Sequence, residues 1–243
     1  MCRMIAAVGR VELPLLRPAL LSMADNCNPG YEHERRSLGK RYCHGDGWGA
    51  AWVENGELRH VRSPRSCLED PEFSRLDGLR TSLLILHARR ASEPGTVALA
   101  NTHPFIEERD GHRYAFCHNG TVFDLGPLQP DDGWKPQGGI DSELLAHHVI
   151  RHLDREDPEG SVLASLEPIG DYSSLHSLLA CVSWILAMTK RHPQKSRPGY
   201  HALWEARGDH LHLVSTEPFS GLPVGEWRRL DEPGVVRMTP EAG

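Results

Sequence analysis

The chain has 243 residues, 39% of them apolar and 25% charged, with a formal net charge of −6. That size suits one domain, with enough buried surface to fold without a disulfide framework. The acidic balance and the lack of a basic stripe argue against nucleic-acid binding. No apolar run approaches the roughly 18 residues of a membrane span, and Arg10, Glu12 and Arg17 interrupt any secretory leader, so a cytoplasmic protein is expected.

In chain order, Cys2 directly follows the initiator methionine. The run Ile5–Val8 predicts a buried first strand closed by Gly9. Leu15–Met23, behind Pro14, reads as a short helix. Residues 26–46 are polar and rich in turn formers, which predicts a long loop. Asn55-Gly56 between two apolar runs predicts a hairpin over Trp48–Val61.

Ser82–His87 is the strongest buried-strand signal, and Tyr114–Cys117 predicts another strand ending at His118-Asn119-Gly120. Ile140, Leu144, Leu145, Val149, Ile150 and Leu153 recur at helical spacing, with Asp141 or Ser142 near the N-cap. The run Leu178–Met188 fits a helix or a strand. Tyr200–Ala206 and His210–Ser215 flank Gly208-Asp209 as a further hairpin. Hairpins with helices between them predict an α+β fold packed in layers.

A cysteine at position 2 has a chemical consequence if Met1 is removed, as its small side chain permits. Cys2 would then carry both a thiol nucleophile and an α-amine of unperturbed pKa about 7.7–8.0 that serves as its base. Five further segments stand in register with it: His44-Gly45-Asp46-Gly47-Trp48-Gly49, His87-Ala88-Arg89-Arg90-Ala91-Ser92, Asn101-Thr102-His103-Pro104-Phe105, His118-Asn119-Gly120 and Asp141-Ser142-Glu143. In this order and spacing the chain resembles the class II glutamine amidotransferases, which are N-terminal-nucleophile hydrolases. The resemblance covers Cys2 to about Leu153, with a weaker match at Ser215-Thr216-Glu217-Pro218.

The resemblance implies a single amidotransferase domain over residues 1–243, with its motif-bearing core at 2–153. It implies a four-layer αββα sandwich of two antiparallel sheets. Cys2 would attack a γ-glutamyl amide through a thioester, with Asn119 and Gly120 as oxyanion donors. Arg89 would grip the substrate α-carboxylate with two parallel N–H donors, as a lysine cannot, and Asp141 would pair with the α-ammonium.

Ser92 and His103 complete the expected substrate-binding set, and His44, Asp46, Gly47 and Trp48 are candidates for the pocket around the Cys2 terminus. Simpler roles exist for several of these. Asn119-Gly120 could be a plain hairpin turn, Arg89 a surface salt bridge, and Asp141 an ordinary helix N-cap.

The expected substrate is glutamine, releasing glutamate and ammonia, with a separate synthetase as the partner for a chain that ends near the glutaminase boundary. The alternative is hydrolysis of another γ-glutamyl amide or peptide, as in ergothioneine or glutathione metabolism. An inactive scaffold is the rival of a different class. No cofactor is expected, and no metal, because Cys43-His44 and Cys117-His118 lack zinc-ligand spacing.

Overall fold

A computed structural model describes residues 2–240 of the chain. Its strands are β1 (Arg3–Glu12), β2 (Trp48–Glu54), β3 (Glu57–Ser63), β4 (Arg80–Ala88), β5 (Phe105–Arg109), β6 (His112–Val122), β7 (Tyr172–Ala180), β8 (Ile185–Thr189), β9 (Trp204–Arg207), β10 (Leu211–Ser215), β11 (Arg228–Arg229) and β12 (Gly234–Met238). The helices are α1 (Leu13–Ala24), α2 (Pro71–Ser74), α3 (Asp141–Arg151) and α4 (Pro158–Leu166).

Alternation along the strands decides the layering, because successive side chains point to opposite faces of a sheet. In β1, Met4, Ala6 and Val8 join Ile85, Cys117 and Leu178 in one apolar cluster. Ile5 and Ala7 join Leu84, Leu16 and Phe73 in another. A strand buried on both faces must be covered on both sides. One sheet runs β11-β9-β10-β1-β4-β2-β3 and the other β12-β8-β7-β6-β5, with every pairing antiparallel.

The sheets face each other across the first cluster, and α1 and α2 cover the outer face of the seven-stranded sheet. On the far side, Phe116, Leu175 and Leu179 pack against Leu145 and Val149 of α3 and Val162 and Leu166 of α4. The result is the expected helix–sheet–sheet–helix sandwich. No helix among the described residues is long and apolar enough to cross a membrane.

The structure corrects several element boundaries. β1 does not stop at Gly9. It continues to Glu12 through an irregularity between Val8 and Val11, with Gly9 at φ 109°. A side chain there would meet the His210 carbonyl oxygen at 2.2 Å, so the glycine admits a neighbouring chain rather than ending a strand. The run Leu178–Met188 resolves into a hairpin of β7 and β8, closed by the Cys181 N–H donating to the Trp184 carbonyl.

His118-Asn119-Gly120 does not end its strand either, nor is it a hairpin turn. It lies within β6, paired with β7 at His118↔Ser177, Asn119↔His176 and Gly120↔Leu175. Asn-Gly means a turn at Asn55-Gly56, where φ is 52° and 75°. At Gly120 it means close approach: a Cβ would sit 1.8 Å from the Ser174 carbonyl oxygen.

The loop at 26–46 contains tight turns over Arg36–Tyr42 and is fastened to the body. The Glu34 carboxylate accepts the backbone N–H groups of Gly199 and Tyr200, each at 2.9 Å.

Candidate active site

The start of β1, the end of β4 and the end of β6 meet at one end of the inter-sheet space. Alternation carries Cys2 to the same face as Met4, His87 to that of Ile85, and Asn119 to that of Cys117. The Cys2 backbone N–H donates to Asn119 Oδ1 at 2.8 Å. This contact fixes the Asn119 amide and leaves its Nδ2 buried without a hydrogen-bond partner among the described residues. An unpaired buried donor carries a desolvation cost of about 1–3 kcal/mol. A free donor of this kind beside a thiol is able to stabilise a developing oxyanion.

The environment activates the thiol. Burial pushes the Cys2 pKa up, but opposing influences led by His87, with the Arg90 backbone N–H among them, bring the thiol down to about 6. His87 lies beside the sulfur and lowers the thiol pKa both electrostatically and through a side-chain hydrogen bond. His103 stacks on His87 with ring centroids 4.2 Å apart. Burial, with His87, His118 and Arg89 nearby, pushes the His103 pKa well below its ordinary value and keeps that ring neutral.

Cys2, Arg89, His103, His118, Gly120 and Asp141 line a cavity of about 290 Å³, and Ser92 completes part of its wall. Arg89 directly follows β4 and is buried, so it is no surface ion pair. Its backbone is clamped by Asp46 and Gly47: the Arg89 N–H donates to the Gly47 carbonyl at 2.8 Å, and the Asp46 N–H to the Arg89 carbonyl at 3.0 Å. The Asp46 carboxylate accepts the Ala91 N–H at 2.8 Å. The Arg89 guanidinium donates to the Thr96 hydroxyl at 3.0 Å and to the Asp46 carbonyl at 3.4 Å, and no carboxylate among the described residues pairs with it.

Asp141 is the first residue of α3, whose N-cap is Ile140 with no side-chain cap. Its Oδ2 instead accepts the Val122 N–H at 2.7 Å, which ties the helix start to the end of β6. Neither Asp141 nor Ser142 caps the helix. The Ser142 hydroxyl pairs with His118 Nδ1 at 2.9 Å.

Five of the sequence candidates lie off the cavity wall: Asn119, which meets Cys2 from behind it, Asp46 and Gly47, which clamp the Arg89 backbone, and Trp48 and His44. Trp48 packs on the outer side of its sheet against Phe73, its indole N–H donating to Asp70, because its place in β2 faces the helices. His44 is buried against the Tyr200 hydroxyl at 2.9 Å. The glycines flanking Trp48 give room to the 102–104 segment rather than to Cys2: a Cβ on Gly49 would meet the His103 carbonyl at 2.1 Å.

The sequence reading missed the proximity of His87 to the thiol, though strict alternation in β4 would have shown which face it takes. It also missed Thr96, whose position no motif marks. Among the described residues, no three His, Cys, Asp or Glu side chains converge as metal ligands would. Behind Cys2, Arg3 Nε pairs with Glu217 at 2.7 Å, both fully buried. Glu217 also holds His33 and Arg36 of the long loop at 3.1 and 2.9 Å.

Comparison with known proteins places this geometry in a family. The model of glutamine amidotransferases class-II matches residues 18–197. A Haemophilus influenzae protein provisionally named a glutamine amidotransferase is 25% identical over 242 residues, covering 93% of this chain and 74% of that protein. The solved structure of a glutamine aminotransferase class-II domain protein from Silicibacter pomeroyi superposes with a TM-score of 0.57 at 17% identity, covering 98% of this chain and 99% of that one. The glutamine phosphoribosylpyrophosphate amidotransferase of B. subtilis gives a TM-score of 0.64 at 16% identity, and this chain spans 49% of its length. The two structural likenesses speak to the fold, and the family match covers most of the sequence. The chain belongs to the class II glutamine amidotransferases.

Proposed function

We propose that this protein hydrolyses the γ-amide of glutamine with Cys2 as its N-terminal nucleophile, after removal of Met1, which lies outside the described residues. The α-amine of Cys2, through a water, takes the thiol proton. The sulfur adds to the γ-carbonyl carbon, and the Asn119 Nδ2 and the Gly120 N–H receive the oxyanion. Collapse breaks the C–N bond, the proton passes to the departing ammonia, and a γ-glutamyl thioester remains on Cys2. Water then cleaves the thioester, releasing glutamate and restoring the thiol. Arg89 and Asp141 hold the α-carboxylate and α-ammonium, while Ser92 and His103 shape the wall.

The observation that carries this reading is the Cys2–Asn119 contact, which seats the chain's second residue beside a buried, unpaired amide donor. The test is glutamate release from glutamine. The wild-type protein should release it and Cys2→Ala should not; equal rates for the two would end the proposal.

A second reading, a bulkier γ-glutamyl amide or peptide as substrate, is favoured by the outer part of the cavity. There Arg90, Glu93 and Phe123, the last 54% exposed, extend the wall beyond an amino-acid grip. A panel of glutamine, glutathione and other γ-glutamyl amides separates the two readings. We further propose that residues 1–243 act as one amidotransferase domain that supplies ammonia to a separate synthetase. Its six free thiols suit the reducing cytoplasm. Glutaminase activity that rises on adding a co-purifying protein supports the partnered form.

A further inference from the structure

Two chain segments carry the groups proposed to hold the amino-acid end of the substrate. The 93–101 segment reaches Arg89 through the Thr96 hydroxyl, which accepts from its guanidinium at 3.0 Å. The 133–140 segment leads into Asp141 at the start of α3. The side chain of Asn101 joins them. Asn101 Nδ2 donates to the Thr96 carbonyl at 2.9 Å, and Asn101 Oδ1 accepts the Gly139 N–H at 2.9 Å.

Asn101 is 7% exposed and is not itself part of the cavity wall, whereas Thr96, Gly139 and Asp141 are. The fit is close enough that a Cβ on Gly138 would sit 2.1 Å from Asn101 Oδ1. The far ends of both arms are fixed independently: Arg89 by the Gly47 and Asp46 backbone, Asp141 by the Val122 N–H. The amide of Asn101 is therefore the cross-brace between the cationic arm and the anionic arm.

We propose that Asn101 is a positioning residue that sets the spacing between Arg89 and Asp141 and so confers the preference for an intact α-amino-acid end. The inference rests on the reading of those two residues as the substrate's charge grips. An amide serves where a carboxylate would not, because the group must donate on one side and accept on the other. A ligand carrying both charges gains from both arms only if their separation matches its own. A ligand that lacks either the α-carboxylate or the α-ammonium gains little from the brace.

Calorimetric binding of L-glutamate, glutarate and 4-aminobutyrate to the wild-type protein, Asn101→Ala and Thr96→Val tests this. The wild type should bind L-glutamate at least about tenfold more tightly than glutarate, which lacks the α-ammonium, or 4-aminobutyrate, which lacks the α-carboxylate. Asn101→Ala should weaken L-glutamate about tenfold, leave the other two within about twofold, and raise KM for the amide substrate with kcat nearly unchanged. Alkylation of Cys2 by iodoacetamide, which uses neither arm, should keep its wild-type rate.

Thr96→Val preserves shape, covers the case in which Asn101→Ala fails to fold, and should shift L-glutamate binding in the same direction. Unchanged L-glutamate affinity in a folded variant, or parallel loss for all three ligands and for alkylation, overturns the role of Asn101. A wild-type protein that does not distinguish L-glutamate from glutarate overturns the Arg89 and Asp141 reading itself.

Discussion

Replacing Glu217 with glutamine removes one negative charge from a place closed to bulk solvent. The carboxylate is fully buried and pairs with Arg3 at 2.7 Å, Arg36 at 2.9 Å and His33 at 3.1 Å, with Asn28 donating at 2.9 Å. Burial alone would raise its pKa. Arg3, with help from His33, Asn28 and Arg36, holds it down at about 2 against an ordinary 4.5. A depressed carboxylate pKa stabilises the fold above its unfolded value, and the stabilisation is lost as pH falls through the folded one. Here that corresponds to about 3 kcal/mol at pH 7, falling to about 1 kcal/mol at pH 3.

Breaking a buried pair by removing one partner costs about 3–5 kcal/mol, so the two routes to a magnitude agree. Reversible urea unfolding of wild-type and Glu217→Gln protein at pH 7 and pH 3 measures it. The stability difference should be about 3 kcal/mol at pH 7 and shrink by more than half at pH 3. A variant within about 0.5 kcal/mol of wild type at pH 7, or a difference that ignores pH, would refute the reasoning.

Three other outcomes follow from the site. Because the Cys2 thiol is held at about 6, the reactive thiolate is populated above that pH, and iodoacetamide alkylation of Cys2 should rise with a midpoint near pH 6. In His87→Gln the midpoint should move above 7, and an unmoved midpoint would remove His87 from the account. Asn119→Ala should lower kcat by about 10²–10³, the usual cost of one oxyanion donor; a change confined to KM would contradict that role. Gly120→Ala should destabilise the fold by at least about 2 kcal/mol, since its Cβ meets the Ser174 carbonyl at 1.8 Å, and an unchanged unfolding midpoint would contradict so close a strand approach.

Most of the layered fold was legible in the sequence because both-face burial writes continuous apolar runs. Ser82–His87 and the helical spacing from Ile140 to Leu153 are examples. Glycine was the weak point. At Gly9 and Gly120 it serves the close approach of a neighbouring backbone, and a sequence shows only that a side chain is missing, not what takes its place.

That Cys2, Arg89 and Asp141 come together on one cavity was legible in the order and spacing of the motifs that carry them. The site was hidden where a residue acts through its partner in space. His87 needs the register of β4 against β1, Glu217 needs β10 beside β1, and Asn101 joins two loops whose proximity no local pattern records. Trp48 failed as a pocket candidate for the same reason: its motif was right and its face was wrong.

The central claim is that Cys2, freed of Met1, is the nucleophile. Incubation with a glutamine-mimicking diazoketone, followed by intact mass and peptide mapping, tests it most directly. The account predicts a chain that begins at Cys2, one adduct per chain on that residue, and no adduct in Cys2→Ala. Retention of Met1, or a label on any other cysteine, would contradict it.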